Sequence, residues 1–198
     1  MSNQDLVIRR PASVEQRVDA IQAVLDERGI KVAEGIEELR HLALEQWIPQ
    51  NGARVVARAW VDSAFRERLL SNGRAAVAEL GFSMPEHHRH LVVLENTPTV
   101  QNVICCTLCS CTAFTIIGLP PDWYKDLEYR ARVVRESRIV LREMGLDLPT
   151  AVTIRVWDTT ADTRYMVLPM QPPETVGWSE EKLVGIVTRD AMIGVARL

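Results

Sequence analysis

The sequence lacks the features that mark membrane, secreted and nucleic-acid-binding proteins. Nowhere do about 18 uncharged apolar residues follow one another, so no transmembrane helix is expected. Residues 1–11 contain Asp5, Arg9 and Arg10 but no apolar run of secretory length, which favours a cytoplasmic location. The net charge of -3 and the pI near 5.9 provide no basic excess that would neutralise phosphates. Nucleic acid is therefore not an expected partner.

The 198 residues, of which 47% are hydrophobic, can bury one substantial core. The first part of the chain has helical patterns, and short β-branched runs begin only after about residue 85. We therefore predict an α+β fold with two parts. Residues 1–85 form a helical amino-terminal arm that wraps a partner, and residues 86–198 form a mixed α/β core domain that carries a Cys-rich metal-binding loop.

Capping signals predict the helices of the arm. Ser13 and Gln16 form a capping box ahead of an apolar helical pattern that ends at Gly29. A second helix should end near Pro49, because the residue before a proline disfavours helical geometry. Further helices are predicted over residues 53–60, over residues 62–70 with Asp62 as the cap, and over residues 74–80 ahead of Gly81.

The core alternates strands with helices. Short β-branched runs predict strands at residues 91–94 and 100–105, and the second of these leads directly into the cysteines. One long helix is predicted over residues 122–144, where a row of arginines forms either a solvated face or a partner surface. Later strands are predicted at residues 152–156 and 165–168, followed by a helix that Ser179 opens and a final short strand at residues 193–196.

All four cysteines lie within residues 105–111. Disulfides that stabilise secreted domains usually join distant segments, so this clustering indicates a local chemical site. Cys106, Cys109 and Cys111 have the spacing C-x-x-C-x-C. Their thiolates can reach one metal ion only if the backbone curls tightly around it, which would bring the amide nitrogens of Ser110 and Cys111 close to the same ion.

Other interpretations of the cluster stay open at this level. A structural zinc site usually takes two separated pairs of ligands, and an iron–sulfur cluster needs a fourth cysteine that Cys105 is badly placed to supply. A redox pair of Cys106 and Cys109 would leave the third cysteine idle. Buried cysteines that act as small hydrophobes are common singly, but four in seven residues are a poor match to that explanation.

The sequence of this loop resembles a known family signature. Cys106-Thr107-Leu108-Cys109-Ser110-Cys111 is similar to the C-T-L-C-S-C motif of nitrile hydratase α subunits. The resemblance covers nearly all of the chain beyond residue 50, and it extends to Ala57-Arg58-Ala59-Trp60, Glu95-Asn96-Thr97-Pro98, Gly118-Leu119-Pro120-Pro121, Trp123-Tyr124-Lys125, Tyr129-Arg130-Ala131-Arg132-Val133, Val156-Trp157-Asp158-Thr159-Thr160, Arg164-Tyr165-Met166-Val167 and Met192-Ile193-Gly194.

The resemblance implies a particular metal centre. In that family three cysteine side chains and two backbone nitrogens bind a low-spin trivalent ion, here the side chains of Cys106, Cys109 and Cys111 and the amides of Ser110 and Cys111. It also implies oxidation of Cys109 to sulfinic acid and of Cys111 to sulfenic acid, with Cys111 and Ser110 as the catalytic residues. The expected cofactor is one non-corrin Co(III) ion per chain, because Thr107 follows the cobalt members, and Fe(III) is the alternative.

The resemblance also suggests which residues surround the metal. Asp162 and Arg164 correspond to a carboxylate and an arginine beneath the family's site, although such a pair is otherwise a surface ion pair. Thr107 and His87 are expected around the centre as well, whereas a solvated polar turn would equally explain His87, His88 and His90. Phe114 stands where the family commonly has tryptophan, so it is expected to line the substrate pocket.

The sequence thus predicts a nitrile hydratase α subunit, a hydro-lyase that hydrates a nitrile to its amide at the interface with a β subunit. The homologous subunit of thiocyanate hydrolase, which converts thiocyanate to carbonyl sulfide and ammonia, is one alternative. A non-catalytic, zinc-stabilised binding module is another, and it predicts unmodified cysteines and an exchangeable divalent metal.

Overall fold

The computed structural model describes residues 12–198. The α+β class predicted from the sequence is confirmed, since helices precede the first strand and alternate with strands afterwards. Within the described residues the helices are α1 (Val14–Glu27), α2 (Val32–Glu45), α3 (Pro49–Val61), α4 (Ser63–Ser71), α5 (Gly73–Glu79), α6 (Phe114–Ile117), α7 (Asp122–Lys125), α8 (Leu127–Glu143), α9 (Glu180–Val184) and α10 (Arg189–Ile193), with a 3-10 turn at Pro173–Thr175. The strands are β1 (His90–Glu95), β2 (Val100–Cys105), β3 (Thr153–Asp158) and β4 (Thr163–Leu168).

The described chain divides into two compact units, of which the first ends at Leu42. Helix α1 of this unit begins with the predicted capping box: the Gln16 amide donates to Ser13 Oγ at 3.2 Å, and the Ser13 amide donates to Gln16 Oε1 at 3.0 Å. Most apolar side chains of α1, Val18 and Ile21 among them, are exposed, and neither α1 nor α2 contains a buried residue. Both helices therefore present apolar surface without a core of their own to cover it.

The second unit, Ala43–Leu198, contains the hydrophobic core. Helix α3 contributes Val55 and Val56, both fully buried, and α4 contributes Phe65 and Leu69. The Asp62 carboxylate caps α4 by accepting from the Phe65 amide at 2.9 Å, as its sequence position predicts. These residues belong to the same core cluster as apolar side chains of the strands, among them Val103 and Ile104 of β2.

The strands pair in two parallel ladders, β1 with β4 and β2 with β3. In the second ladder Cys105, the last residue of β2, lies opposite Asp158, the last residue of β3. Parallel strands end at the same edge of a sheet, so the chain that leaves β2 through the cysteines starts beside Asp158. This register fixes where the cysteine loop begins.

Two predicted elements are wrong. The single helix over residues 122–144 is broken at Asp126, whose backbone is non-helical and whose carboxylate accepts from the Glu128 amide at 2.6 Å, so α8 starts anew. The final strand at residues 193–196 is absent, because the apolar run ends in helix α10 instead. Thr188 caps that helix, and Gly194 terminates it at a φ of 96° in the left-handed region.

Residues 1–11, with the prediction that they carry no secretory leader, lie outside the described residues. Among residues 12–198 no helix is long and apolar enough to cross a membrane. The division into an arm of residues 1–85 and a core of residues 86–198 stays a prediction about how the chain functions.

Candidate metal centre

The cysteine loop, residues 106–111, connects the end of β2 to α6. Cys105 precedes it, is fully buried at the end of β2, and packs in the core. Burial raises the pKa of the Cys105 thiol to about 12, and the nearby charge of Asp158 adds to this effect. Cys105 therefore behaves as a small core residue rather than as a reactive thiol.

The other three cysteines converge. Cys106 Sγ lies 3.2 Å from Cys109 Sγ, and Cys109 Sγ lies 2.8 Å from Cys111 Sγ. All three sulfur atoms are within 4.8 Å of one another, so a single ion could be held by the whole set. Thiolates are soft donors that favour transition metals, so the donor set is chemically suited to the cobalt or iron that the sequence predicts.

The thiols of the cluster differ in acidity. Hydrogen bonding from the Cys111 thiol is the main reason that the pKa of Cys109 is lowered, and hydrogen bonds from Cys106 and from the backbone of Cys111 and Ser110 add to it. Burial, followed by the hydrogen bond to Cys109, raises the pKa of Cys111 to about 12, against which the charge of Arg164 acts. Within the pair formed by Cys109 and Cys111, the exposed Cys109 therefore carries the more acidic thiol.

Thr107 is anchored by a residue that the sequence analysis did not single out. Its amide donates to Asp158 Oδ1 at 2.9 Å, and its hydroxyl donates to the other carboxylate oxygen. Both Thr107 donors therefore end on the carboxylate at the end of β3. These two hydrogen bonds connect the beginning of the cysteine loop to the end of β3.

Arg164 and Asp162 do not form the ion pair suggested by their spacing. Arg164 is buried and donates to the carbonyl oxygens of Thr160 and Thr163, while Asp162 accepts from the hydroxyls of Thr160 and Thr163 at 3.0 and 3.1 Å. Arg164 Nε is buried without a hydrogen-bond partner among the described residues. Its charge acts on Cys111, whereas Asp162 lies in a hydrogen-bonded turn of its own.

The histidine segment has a buried member. His87 is exposed, as expected of a polar turn, but His88 is only 2% exposed and packs edge-on against His87 and Phe114, with ring centroids 4.3 and 5.4 Å away. Burial, and then the charge of Arg164, lowers the pKa of His88 to about 4. The polar-turn interpretation is therefore wrong for His88, which is held neutral in an apolar setting.

Phe114, the predicted pocket residue, begins α6 three residues after Cys111 and is half-buried. Its ring lies 4.7 Å from that of Trp47, in an edge-on arrangement. Phe114 therefore packs in an aromatic cluster with Trp47 and His88.

Two further residues contact the loop and were missed as site residues. Arg130, on α8, donates from Nε to the Cys106 carbonyl at 2.9 Å and from an Nη to the Thr107 carbonyl at 2.8 Å. The Tyr124 hydroxyl, on α7, donates to the Cys111 carbonyl at 3.1 Å. Both residues lie in segments that carry the family resemblance, which was the available signal, but spacing alone gave no reason to connect them with a loop 13 to 24 positions earlier.

Comparison with known proteins adds independent information. Residues 12–196 match the model of the family described as "Nitrile hydratase, alpha chain". The low-molecular-weight cobalt-containing nitrile hydratase subunit alpha of Rhodococcus rhodochrous is 44% identical over 188 residues, which is 95% of this chain and 90% of the relative. The thiocyanate hydrolase subunit gamma of Thiobacillus thioparus is 43% identical over 158 residues, 75% of this chain and 65% of the relative.

A solved structure is also similar. A double mutant of the Fe-type nitrile hydratase of Comamonas testosteroni Ni1 superposes with a TM-score of 0.88 at 56% sequence identity, covering 96% of this chain and 92% of that chain. The similar proteins thus include both a cobalt-containing and an Fe-type enzyme.

Proposed function

Since this chain belongs to the family of nitrile hydratase α chains, we propose that it is the metal-bearing α subunit of a nitrile hydratase, a hydro-lyase that converts a nitrile and water into the amide. The observation that carries the proposal is the convergence of three thiols within 4.8 Å on one short loop. All of the proposed donors come from the six consecutive residues 106–111. A second group of ligands from a distant part of the chain is therefore not required.

The proposed ligands are the side chains of Cys106, Cys109 and Cys111 and the amide nitrogens of Ser110 and Cys111. Support for the two amides comes from the pKa of Cys109, which the backbone groups of Ser110 and Cys111 help to lower, as expected if their N–H groups lie near its sulfur. Thiolate and deprotonated amide nitrogen are strong donors, so this set favours a trivalent over a divalent ion.

The proposed ion is one non-corrin Co(III) per chain, with Fe(III) as the alternative. Thr107 favours cobalt by its resemblance to the cobalt members. The identity of 56% to an Fe-type enzyme, compared with 44% to a cobalt-containing one, favours iron. Metal analysis of the purified chain decides between the two without any assumption about the substrate.

When bound, the trivalent ion supplies Lewis acidity that activates a nitrile towards water. Before any turnover, an external oxidant, dioxygen, would convert the Cys109 thiol to sulfinic acid and the Cys111 thiol to sulfenic acid, and its oxygen atoms would become the added oxygens of the two cysteines. The sulfenate oxygen of Cys111 would then act as a base that takes a proton from the attacking water. In the alternative it attacks the nitrile carbon itself, and water afterwards breaks the resulting bond to regenerate Cys111. Ser110 takes part through its backbone. In the balanced reaction a carbon–oxygen bond forms, and the nitrile nitrogen gains both protons of the water.

The surrounding residues hold this arrangement. Thr107 fixes the loop through Asp158, and Arg164 contributes positive charge near Cys111, which favours an anionic sulfur there. We also propose roles around the centre for Asp162 and His87. The Asp162 carboxylate accepts from the hydroxyls of Thr160 and Thr163, and the His87 ring packs against that of His88. Phe114 is the residue proposed to contact the substrate's organic group, because it lies three positions after Cys111 and packs against the rings of Trp47 and His88.

The proposed partner is a β subunit, in an αβ heterodimer or a larger assembly. The exposed apolar faces of α1 and α2 support this, because they belong to the predicted partner-wrapping arm of residues 1–85 and bury nothing within the described chain. Arginines from such a subunit could hold the oxidised cysteines by charge-assisted hydrogen bonds. The cytoplasm is the proposed location, since the cysteines form a local site rather than distant disulfide pairs.

The test is conversion of a small nitrile to its amide by the chain purified together with its partner subunit. Cys109→Ala and Cys111→Ala should remove activity, whereas Cys105→Ala should keep both the metal and the activity because Cys105 lies in the core. Full activity in either of the first two variants would overturn the ligand assignment.

Thiocyanate hydrolase activity is the second candidate, supported by the 43% identity to the gamma subunit of that enzyme. Thiocyanate and the small nitrile should be assayed side by side, because the first reaction releases ammonia and the second retains the nitrogen as amide. Unmodified cysteines with exchangeable zinc and neither activity would instead indicate a structural module.

A further inference from the structure

Two consecutive helices hold the backbone of the cysteine loop from one side. Helix α7 contributes the Tyr124 hydroxyl, which donates to the Cys111 carbonyl at 3.1 Å. Helix α8 contributes Arg130, which donates to the carbonyls of Cys106 and Thr107 at 2.9 and 2.8 Å. These contacts fall at the two ends of the loop, so its first and last cysteines are both fixed through their own carbonyl groups.

We propose that Arg130 and Tyr124 are positioning residues of the metal centre, which hold the two ends of the cysteine loop so that its thiols converge before a metal ion binds. Neither residue touches a sulfur atom. Each acts through a main-chain carbonyl, and the inference therefore rests on the proposed metal site while assigning functions to residues outside it.

The chemistry of the two side chains suits this role. The guanidinium of Arg130 presents several donors in a fixed plane, so it can hold the carbonyls of two successive residues at once. Its hydrogen bonds are charge-assisted and therefore stronger than those between neutral groups. On its other side the same segment is held by Asp158, which accepts from the Thr107 amide at 2.9 Å. The peptide unit between Cys106 and Thr107 is thus bound at both its carbonyl and its N–H group.

Tyr124 is equally well suited at the other end. It is fully buried, and burial raises the pKa of its hydroxyl, which stays protonated and remains a donor. The break at Asp126 lies between Tyr124 and Arg130, so the two side chains come from separate helices. One contacts the end of the loop and the other its beginning.

The middle of the loop is left open by this arrangement. Leu108 and Cys109 are exposed. The side chains of Arg130, Asp158 and Tyr124 bind the loop at residues 106, 107 and 111. Fixed ends with an accessible centre permit an ion to enter and bind without first ordering the whole loop. Removing one anchor should therefore lower metal affinity, because the ion must then supply the free energy that orders the loop.

Matched control variants are available on the same helices. Arg135 of α8 is exposed, and its Nε donates at 3.0 Å to the Ala131 carbonyl within the helix. Tyr129 of α8 is buried like Tyr124, but its hydroxyl donates to the Ile104 carbonyl, inside β2 and outside the loop. Arg130→Gln is thus compared with Arg135→Gln, and Tyr124→Phe with Tyr129→Phe.

The experiment titrates the metal-free full chain with Co²⁺ under anaerobic, reducing conditions. The thiolate-to-cobalt charge-transfer absorption reports the ligand set, and competition with a chelator gives the Kd. Loss of a group that orients metal ligands typically costs about 10- to 100-fold in affinity, and this is the decrease expected for Arg130→Gln. Tyr124→Phe, which loses one neutral hydrogen bond, should lose about tenfold. Both control variants should bind within about twofold of the unmodified chain, which is the change expected where no loop contact is lost.

Arg130→Lys tests the geometry rather than the charge. An ammonium group keeps the charge but lacks the planar fork, so this variant should recover only part of the affinity. If Arg130→Gln does not fold, the Tyr124→Phe and Tyr129→Phe pair decides, because both replacements keep the packed ring.

Wild-type affinity and absorption in Arg130→Gln and Tyr124→Phe would overturn the inference, as would equal losses in the controls, which would indicate general packing. The unmodified chain distinguishes failure of this inference from failure of the metal site. If it shows no thiolate-to-cobalt absorption, the proposed metal site is wrong, and the positioning role is wrong with it.

Discussion

The buried histidine offers a quantitative test of the electrostatics beside the cysteine loop. His88 is 2% exposed, and its Nδ1 has no hydrogen-bond partner among the described residues. Burial is the main reason that its pKa falls from an ordinary 6.5 to about 4, and the charges of Arg164, His87 and Arg74 lower it further. The folded chain therefore keeps His88 neutral at pH values where an unfolded chain would protonate it.

The sign and size of the effect follow from linkage. Because the folded pKa is below the unfolded one, the stabilisation is fully present above pH 6.5 and is lost as the pH falls towards 4. For these two pKa values the free energy of unfolding should fall by about 2 kcal/mol between pH 7 and pH 5, and by roughly 3 kcal/mol in total at pH 4 and below.

Urea unfolding of the full chain at pH 7 and pH 5 measures this loss. His88→Phe removes the titrating group, keeps an aromatic ring against Phe114 and leaves no bonded partner behind, so its loss over that interval should be about 2 kcal/mol smaller than in the unmodified chain. His90→Gln replaces an exposed histidine two positions away and should behave like the unmodified chain. Equal losses in His88→Phe and the unmodified chain would refute the reasoning.

Three other predictions concern the turn after α10 and the cysteine loop. Gly194→Ala should lower the free energy of unfolding, measured with urea, by more than about 2 kcal/mol, because the new methyl group overlaps the Asn102 carbonyl and the positive φ is strained. Gly177→Ala is the control, since Gly177 also has a positive φ but open space around it, and it should cost only about 1 kcal/mol. In the metal-free chain, iodoacetamide should label Cys109 first and leave Cys105 unlabelled in peptide mass spectrometry. Cys109 is exposed and its pKa is lowered, whereas Cys105 is buried and its pKa is raised. Fast labelling of Cys105 would contradict its core position. Asp158→Asn should weaken Co²⁺ binding about 10-fold or more in a chelator competition, since it removes one of the two acceptors that fix the loop, and unchanged affinity would show that this anchor is dispensable.

Local signals were sufficient where the cause of a structure lies within a few residues. The capping box at Ser13 and the cap at Asp62 are contacts between positions three residues apart, and both are present as predicted. The convergence of the three thiols is likewise local, because the C-x-x-C-x-C spacing leaves little freedom once the loop curls. For the same reason the strand leading into the cysteines could be predicted from its β-branched run.

The supports of the site could not be predicted in this way, because they come from distant segments. Asp158 reaches Thr107 across 51 positions, and the parallel register of β2 with β3 makes that contact possible. Arg130 looked like one of several helix-surface arginines, although it lies just after the break at Asp126 and contacts the loop. That same break was missed because an aspartate within a helical pattern can continue the helix or cap a new one.

Metal and mass analysis of the purified chain, with the peptide that contains residues 105–111, most directly tests the proposed function. We predict about one cobalt or iron atom per chain, two added oxygen atoms on Cys109, one on Cys111 and none on Cys105. Zinc bound to cysteines that carry no added oxygen would contradict the hydratase centre and indicate a structural site instead.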